Sequence, residues 1–235
     1  TAYEIASCLV GSEMCIRDRS KMHAILESVE NYKPDLIVTY RHLHCDSVDW
    51  SYGLGIHIDV LTQATTTPVL ILPNPDRNNL ANSSFKRTKK VMAVTDHLAG
   101  DHSLVSYAAL FTQTDGTLFL AHVEDKSVFD RYIKAVSKIP DLDTETASEQ
   151  IKARLLKDPN DYVESCKKRL TESLPTINIE RWVKLGSRMS DYRNLIDENE
   201  IDLLVMYTKD DEQLAMHGVA YPLAVELKTT PLLML

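Results

Sequence analysis

The sequence predicts an α/β protein: one complete domain on a five-stranded, doubly wound parallel sheet, preceded by the C-terminal half of another such domain. Three observations predict it. Short aliphatic runs, apolar on both faces, read as parallel strands covered by helices on each side. They alternate with stretches in which apolar residues recur at helical spacing. Finally, Pro34-Asp35-Leu36-Ile37-Val38-Thr39-Tyr40 is echoed by Ile201-Asp202-Leu203-Leu204-Val205-Met206-Tyr207, and Thr66-Thr67-Pro68-Val69-Leu70-Ile71-Leu72 by Thr229-Thr230-Pro231-Leu232-Leu233-Met234-Leu235. The copies stand about 165 residues apart, too far for a solenoid and suited to domains in tandem.

The elements follow in order. Met22, Ile25, Leu26 and Val29 share one face of a helix, which Lys33-Pro34 stops before a strand at Asp35 to Thr39. A polar loop from Arg41 to Ser51 leads to a helix from Leu54 to Thr62 and a strand from Val69 to Leu72. Pro and Asn crowd the following segment, Pro73 to Asn79, which reads as a linker. The apolar run Val91 to Val94, ending in Thr95-Asp96, opens the complete domain. Leu104, Tyr107, Ala108 and Phe111 share a helix face closed by Asp115-Gly116. Thr117 to Val123 is the next strand, followed by helices at Ser127 to Val136 and Thr146 to Ser173, the second expected to break near Asp158-Pro159. The alternation through Ile177, Ile179 and Trp182 or Val183 marks a strand to Leu185. A helix over Ser190 to Asn199, a strand over Asp202 to Met206, a helix over Val219 to Lys228 and a strand over Pro231 to Leu235 complete the chain. Each crossover is expected to be right-handed.

The divisions expected are residues 20–73 for the half-domain, 74–88 for the linker and 89–235 for the complete domain. Only about 70 residues precede the first Pro-Val-Leu-Ile-Leu run, so the first domain is expected to lack its N-terminal half. Residues 1–19 are set aside from fold reasoning, because Leu9-Val10-Gly11-Ser12-Glu13-Met14-Cys15-Ile16-Arg17-Asp18-Arg19 resembles the translated read-through of a transposon-type sequencing-library adaptor.

Composition narrows the function classes. The 235 residues are 26% charged with a net charge of −8, which repels a phosphate backbone, and the one basic cluster, Lys86 to Lys90, falls at the linker. Neither nucleic acid nor membrane is expected as a partner, since no run approaches the ~18 apolar residues a spanning helix needs. Beyond residue 19 only Cys45 and Cys166 remain. Two distant cysteines make no disulfide framework, and a reducing cytoplasm is the expectation.

Ligands of open parallel sheets bind outside the C-terminal strand ends, at the switch in strand order. This singles out Asp96, Val123, Met206 to Asp211, and His217 to Ala220. Small residues there let the backbone approach phosphates, and helix N-termini offer amide donors. Asp96 reads equally as a helix N-cap. His42, His44, Cys45 and Asp46, with His57 and Asp59 downstream, have metal-ligand chemistry but irregular spacing, and no metal is expected. No orienting partner for Cys45 can be named, so no catalytic residue is expected.

The segment from Lys89 to Leu235 resembles a universal stress protein (UspA-type) domain over its whole length. The matching pieces are Val91 to Asp96, Leu118-Phe119-Leu120-Ala121-His122-Val123, Val183-x-x-Gly186, Asp202 to Met206, and Gly218 followed thirteen residues later by Pro231. Gly55 precedes Pro68 by the same interval. The resemblance implies an adenine-nucleotide alpha hydrolase-like, Rossmann-like fold and a tandem arrangement. It implies domain-domain pairing or a homodimer through the last strand, Pro231 to Leu235, and a regulatory partner that the sequence leaves unknown. It also implies nucleoside contact at Asp96, a base pocket lined by Val123 and Met206, and phosphate contact at Tyr207, Gly218 and Val219.

The chain departs from the nucleotide-binding pattern, Gly-x-x-Gly followed by Gly-Ser or Gly-Thr. Tyr207 and Asp210 stand in place of the loop glycines, and Val219 in place of the hydroxyl residue. The run Asp210-Asp211-Glu212 would repel a triphosphate. The expectation is a cytoplasmic stress-response binding or regulatory protein, not an enzyme, with a degenerate phosphate loop. Two alternatives stay open: an ATP-binding member with weak hydrolytic or switch activity, with ATP as its cofactor, and a binder of a different small or apolar ligand in the same crevice.

Overall fold

Each apolar run that the sequence marks as a strand lies in one sheet. The computed structural model describes residues 22–43, 53–74, 87–95, 103–208 and 218–235. A helix over 22–32 (α1) precedes β1 (Ile37–Tyr40), α2 (Ile56–Ala64) and β2 (Val69–Leu72). Then come β3 (Lys90–Val94), α3 (Ser103–Phe111), β4 (Thr117–Asp125), α4 (Lys126–Val136) and α5 (Thr144–Ser173). β5 (Asn178–Gly186), α6 (Arg188–Asn199), β6 (Leu203–Met206), α7 (Ala220–Glu226) and β7 (Leu232–Met234) complete it.

The strand order is β1-β2-β7-β6-β3-β4-β5. Within it, β7-β6-β3-β4-β5 is the five-stranded, doubly wound parallel arrangement the sequence predicts. The sheet does not end there, however: β2 pairs antiparallel with β7, setting Leu70 opposite Leu233, and β1 pairs parallel with β2. Five parallel strands and two more therefore make one mixed sheet of seven. The order is symmetric about the β2–β7 join, and the strands it relates, β1 with β6 and β2 with β7, are those whose sequences echo one another.

Alternation along each strand feeds two core layers. Met92, Val94, Phe119, Ala121, Leu204 and Met206 pack with Ile58 of α2, Leu195 of α6 and Leu223 of α7. Val91, Ala93, Leu118, Leu120, Leu203 and Val205 pack with Leu104 and Ala108 of α3 and Val163 and Cys166 of α5. β5, at the edge, buries only Ile179 and Gly186, which is why its alternation is visible in sequence while that of β6, buried at all four positions, is not.

Capping sets the helix starts. The Asp125 carboxylate accepts the Ser127 N–H at the start of α4, and Asp143 accepts from Glu145 and Thr146 at α5. α5 continues through Pro159, where a break is expected from sequence. Pro159, Val163 and Cys166 are buried together, and that packing offsets the roughly 3 kcal/mol a helical proline costs.

Across the β2–β7 join the residues after the echoed tyrosines each reach the opposite segment's helix. The Arg41 guanidinium donates to the Leu227 carbonyl at the C-cap of α7, at 2.6 Å. Thr208 donates to Thr62 O in α2 at 3.4 Å and to Leu235 O at 2.8 Å. Arg41 is buried, and desolvation pulls its pKa down to about 10. The negative end of the α7 dipole is where a buried cation is tolerated.

Leu233, wholly buried at the join, should lose about 2–5 kcal/mol of stability on Leu233→Ala. Leu110→Ala, at a side chain 76% exposed, should stay within about 0.5 kcal/mol. Urea titration of the two variants checks both values.

Candidate functional site

The order β7-β6-β3-β4-β5 reverses between β6 and β3, so the crevice to inspect opens at the C-terminal ends of those strands. β3 leads into Thr95, whose N–H and hydroxyl both donate to Ala121 O, at 2.9 and 3.1 Å. The His122 ring meets the Thr95 carbonyl through Nδ1 and Glu124 through Nε2 at 3.4 Å. Asp96 lies outside the described residues, as do His44, Cys45, Asp46 and the acidic run at 210–212.

β6 ends in Tyr207, which turns toward α3. Its hydroxyl accepts the Leu104 N–H at 3.1 Å and hydrogen-bonds Ser103 Oγ at 2.8 Å. A helix N-terminus presents amides without intrahelical partners, the natural seat of an anion. In this chain a phenol occupies that position at α3.

Val123, Met206 and Val219 lie on the opposite face of the sheet from Tyr207, buried in the layer beneath α2, α6 and α7. These three thus share one core layer, and Tyr207 packs against the other. The Val123 backbone is held at both ends: its N–H donates to the Tyr192 hydroxyl at 3.0 Å, and its carbonyl accepts from Arg188 Nε at 3.0 Å. Tyr192 and Arg188 are contributions that sequence reasoning missed. Their only signal is position, in the first turns of the helix after Gly186. A Cβ at Gly186 would lie 2.0 Å from Asp191 Oδ2, so a larger residue there would displace that carboxylate. Asp191 in turn pairs with Lys184, whose ammonium sits 4.7 Å from the centre of the Trp182 ring.

Gly218 has φ +67, and among the described residues nothing lies within 4 Å of where its side chain would be. α7 then starts at Val219 without a side-chain cap. At the echoed position Gly55 has φ +106, and its Cβ would come within 3.0 Å of the His42 Cα. Around it stand buried His57 and half-buried Asp59. Burial raises the Asp59 carboxyl above its usual range, and burial followed by the charge of Asp59 raises the Tyr221 phenol. Among the described residues no three His, Cys, Asp or Glu side chains converge to hold a metal ion, and no helix is long and apolar enough to cross a membrane.

No family model and no curated protein matches the sequence. Solved structures do. PA1789, a functionally unknown protein from Pseudomonas aeruginosa PAO1, superposes with a TM-score of 0.52 at 14% identity, over 91% of this chain and 67% of its own. A universal stress protein candidate from Pseudomonas aeruginosa UCBPP-PA14 gives 0.49 at 16% identity, over 88% of this chain and 65% of its own. MJ0577, a hypothetical protein whose biochemical function was assigned from its structure, gives 0.49 at 16%, over 63% of this chain and 95% of its own. The chain spans about two thirds of the length of the two Pseudomonas proteins. What the PA1789 superposition establishes is the shared fold.

A carboxyl whose folded pKa is raised contributes stability that is present below its unfolded value and lost as pH rises through the folded one. Asp59→Asn should therefore be more stable than the parent at pH 7, with the difference closing toward pH 4. It should also lower the pKa of Tyr221. Urea titration at the two pH values and ultraviolet titration of the phenol measure these effects.

Proposed function

We propose that the chain is a universal stress protein-like, cytoplasmic binding or regulatory protein with a degenerate phosphate-binding loop, and that it is not a catalyst. The observation that carries this reading is the Tyr207 hydroxyl seated on the Leu104 N–H and the Ser103 hydroxyl at the start of α3. Where the nucleotide-binding pattern has a glycine, so that main chain and phosphate can approach, this chain has a ring already engaged in holding a helix. Val219, which stands where a hydroxyl would help hold phosphate, supplies only apolar surface and is buried.

Two further features support binding over catalysis. Cys166 is buried, and desolvation raises its thiol pKa, which lowers the thiolate fraction a nucleophile needs. His122 has both ring nitrogens engaged, one by Thr95 O and one by Glu124. Val123, Met206 and Val219, the positions singled out from sequence, are apolar and buried, which suits an apolar or aromatic portion of a ligand better than a polyanion.

Calorimetric titration of ATP with Mg²⁺ into the 235-residue chain tests the reading. No heat at millimolar ATP from the folded chain is the expected result. Micromolar binding that Asp96→Ala abolishes would overturn it and make the protein a nucleotide switch. Tyr207→Gly should gain ATP affinity relative to the parent if the ring is what excludes phosphate.

A further inference from the structure

α4 and the first half of α5 stand apart from both core layers. No residue of Lys126–Val136 enters either layer, none from Thr144 to Asp158 does, and the buried residues of α5 begin at Pro159. The two helices pack on each other as a helical hairpin across the short connection 137–143, and every residue of it is described. Main-chain bonds from Lys138 N–H to Ala135 O and from Ile139 N–H to Val136 O carry α4 one tighter turn further.

This hairpin has more apolar surface than it covers. Phe129 is the one buried side chain of α4, while Ile133, Val136 and Ile151 are half-buried. Tyr132, Ile139 and Leu142 are 53%, 54% and 46% exposed, and they are three of the six large apolar side chains that the described residues expose. Their gathering on one projecting element marks an interaction surface.

Its charges are sorted along its length. Exposed Arg131, Lys134 and Lys138 lie on α4 and its last turn, and exposed Asp141, Glu145 and Glu149 lie at the tip and the start of α5. Elsewhere on these helices charges are answered locally, as in Lys126–Asp130, Arg154–Asp158, Lys157–Asp161 and Arg181–Glu164. Among the described residues, no ion pair engages those three cations or those three anions.

We propose that the α4–α5 hairpin is the surface through which two copies of this chain associate. A two-fold axis sets the basic α4 of each copy on the acidic tip of the other, with Tyr132, Ile139 and Leu142 at the centre. Such a contact needs a surface complementary to itself, which cations and anions separated along one element supply. A partner carrying one sign of charge would meet like charge at one end. The edge of β7 is taken by β2 within the chain, so a second copy has to use another surface. A helix rises 1.5 Å per residue and is about 10 Å across, so the hairpin face measures roughly 20 Å by 20 Å and two faces bury about 800 Å². That is small for specific association, and the dimer is weak and concentration-dependent.

Sedimentation equilibrium of the 235-residue chain, from micromolar to millimolar concentration, tests this. A reversible monomer–dimer equilibrium is expected. Ile139→Glu should weaken it by about 10-fold or more, and should leave the urea midpoint unmoved because the side chain is already exposed. Two double variants separate this face from any other. Arg131→Glu with Lys138→Glu reverses the basic end, and Glu145→Lys with Glu149→Lys reverses the acidic end. Each alone should lose about 10-fold or more in self-association, and an equimolar mixture of the two should recover it as a mixed dimer. A parent chain that is monomeric throughout would overturn the proposal. So would a dimer indifferent to Ile139→Glu, or charge variants that dimerise alone as the parent does, since either places the contact elsewhere.

Discussion

The antiparallel pairing of Val69–Leu72 with Leu232–Met234 is the constraint on which the rest of the structure depends. Without it, β1 and β2 would be a two-stranded ribbon covered only by α1 and α2, cut off from the rest of both core layers. With it, Leu70 and Leu233 meet over the layer beneath α3 and α5, while Ile71 and Leu232 meet over the opposite layer. Each such side chain is worth about 1.5–3 kcal/mol on full burial. The join therefore makes both core layers continuous from one end of the sheet toward the other. It also removes the exposed apolar edge that β7 would otherwise present.

The join explains the polar residues beside it. Arg41 and Thr208 occupy the same position in the echo, yet one is a cation and the other a small hydroxyl. Arg41 spans the distance to the last carbonyl of α7 and meets the negative end of that helix, whereas Thr208 bonds Leu235 O and sits within reach of Thr62 O. Desolvation lowers the Arg41 pKa, and no carboxylate pairs with it among the described residues. A buried cation in that state is poor evidence for stability. Its contribution is geometric, since it tolerates only a carbonyl end in front of it and so fixes how α7 lies against the end of β1.

The strands were legible because a parallel sheet covered on both faces needs unbroken aliphatic runs, and Val91–Val94, Leu118–Leu120 and Leu203–Val205 supply them. Boundaries shifted by one or two residues where a cap, not an apolar residue, sets the end, as at Asp125, which ends β4 and caps α4. The continuity of α5 was not legible, because a proline's local penalty can be read from sequence while the burial of Pro159 with Val163 and Cys166 cannot. The candidate site was legible in part. Val123 and Met206 share a layer because strand positions of equal parity face the same side of the sheet, and Val219 enters that layer from the start of α7. The turn of Tyr207 to the other face follows from the same parity, but its bond to α3 requires knowing which helix stands there. Arg188 and Tyr192 carry no signal of their own, since an arginine and a tyrosine in the first turns of a helix are ordinary.

The two echoed glycines show why a motif must be separated from its cause. At Gly55 a positive φ coincides with the His42 backbone 3.0 Å from where a Cβ would lie, so crowding adds to the conformational demand for glycine, whatever the ligand. At Gly218 the φ is also positive, but no described residue crowds the position. Conformation, not crowding, selects glycine there, and conformation can be relaxed by an asparagine or aspartate at modest cost. On the reading proposed above, in which the phosphate loop is degenerate, the positive φ of Gly218 suits a close approach of backbone to ligand, while the neighbouring side chains have other tasks: the Tyr207 hydroxyl holds the start of α3 and Val219 is buried in the core.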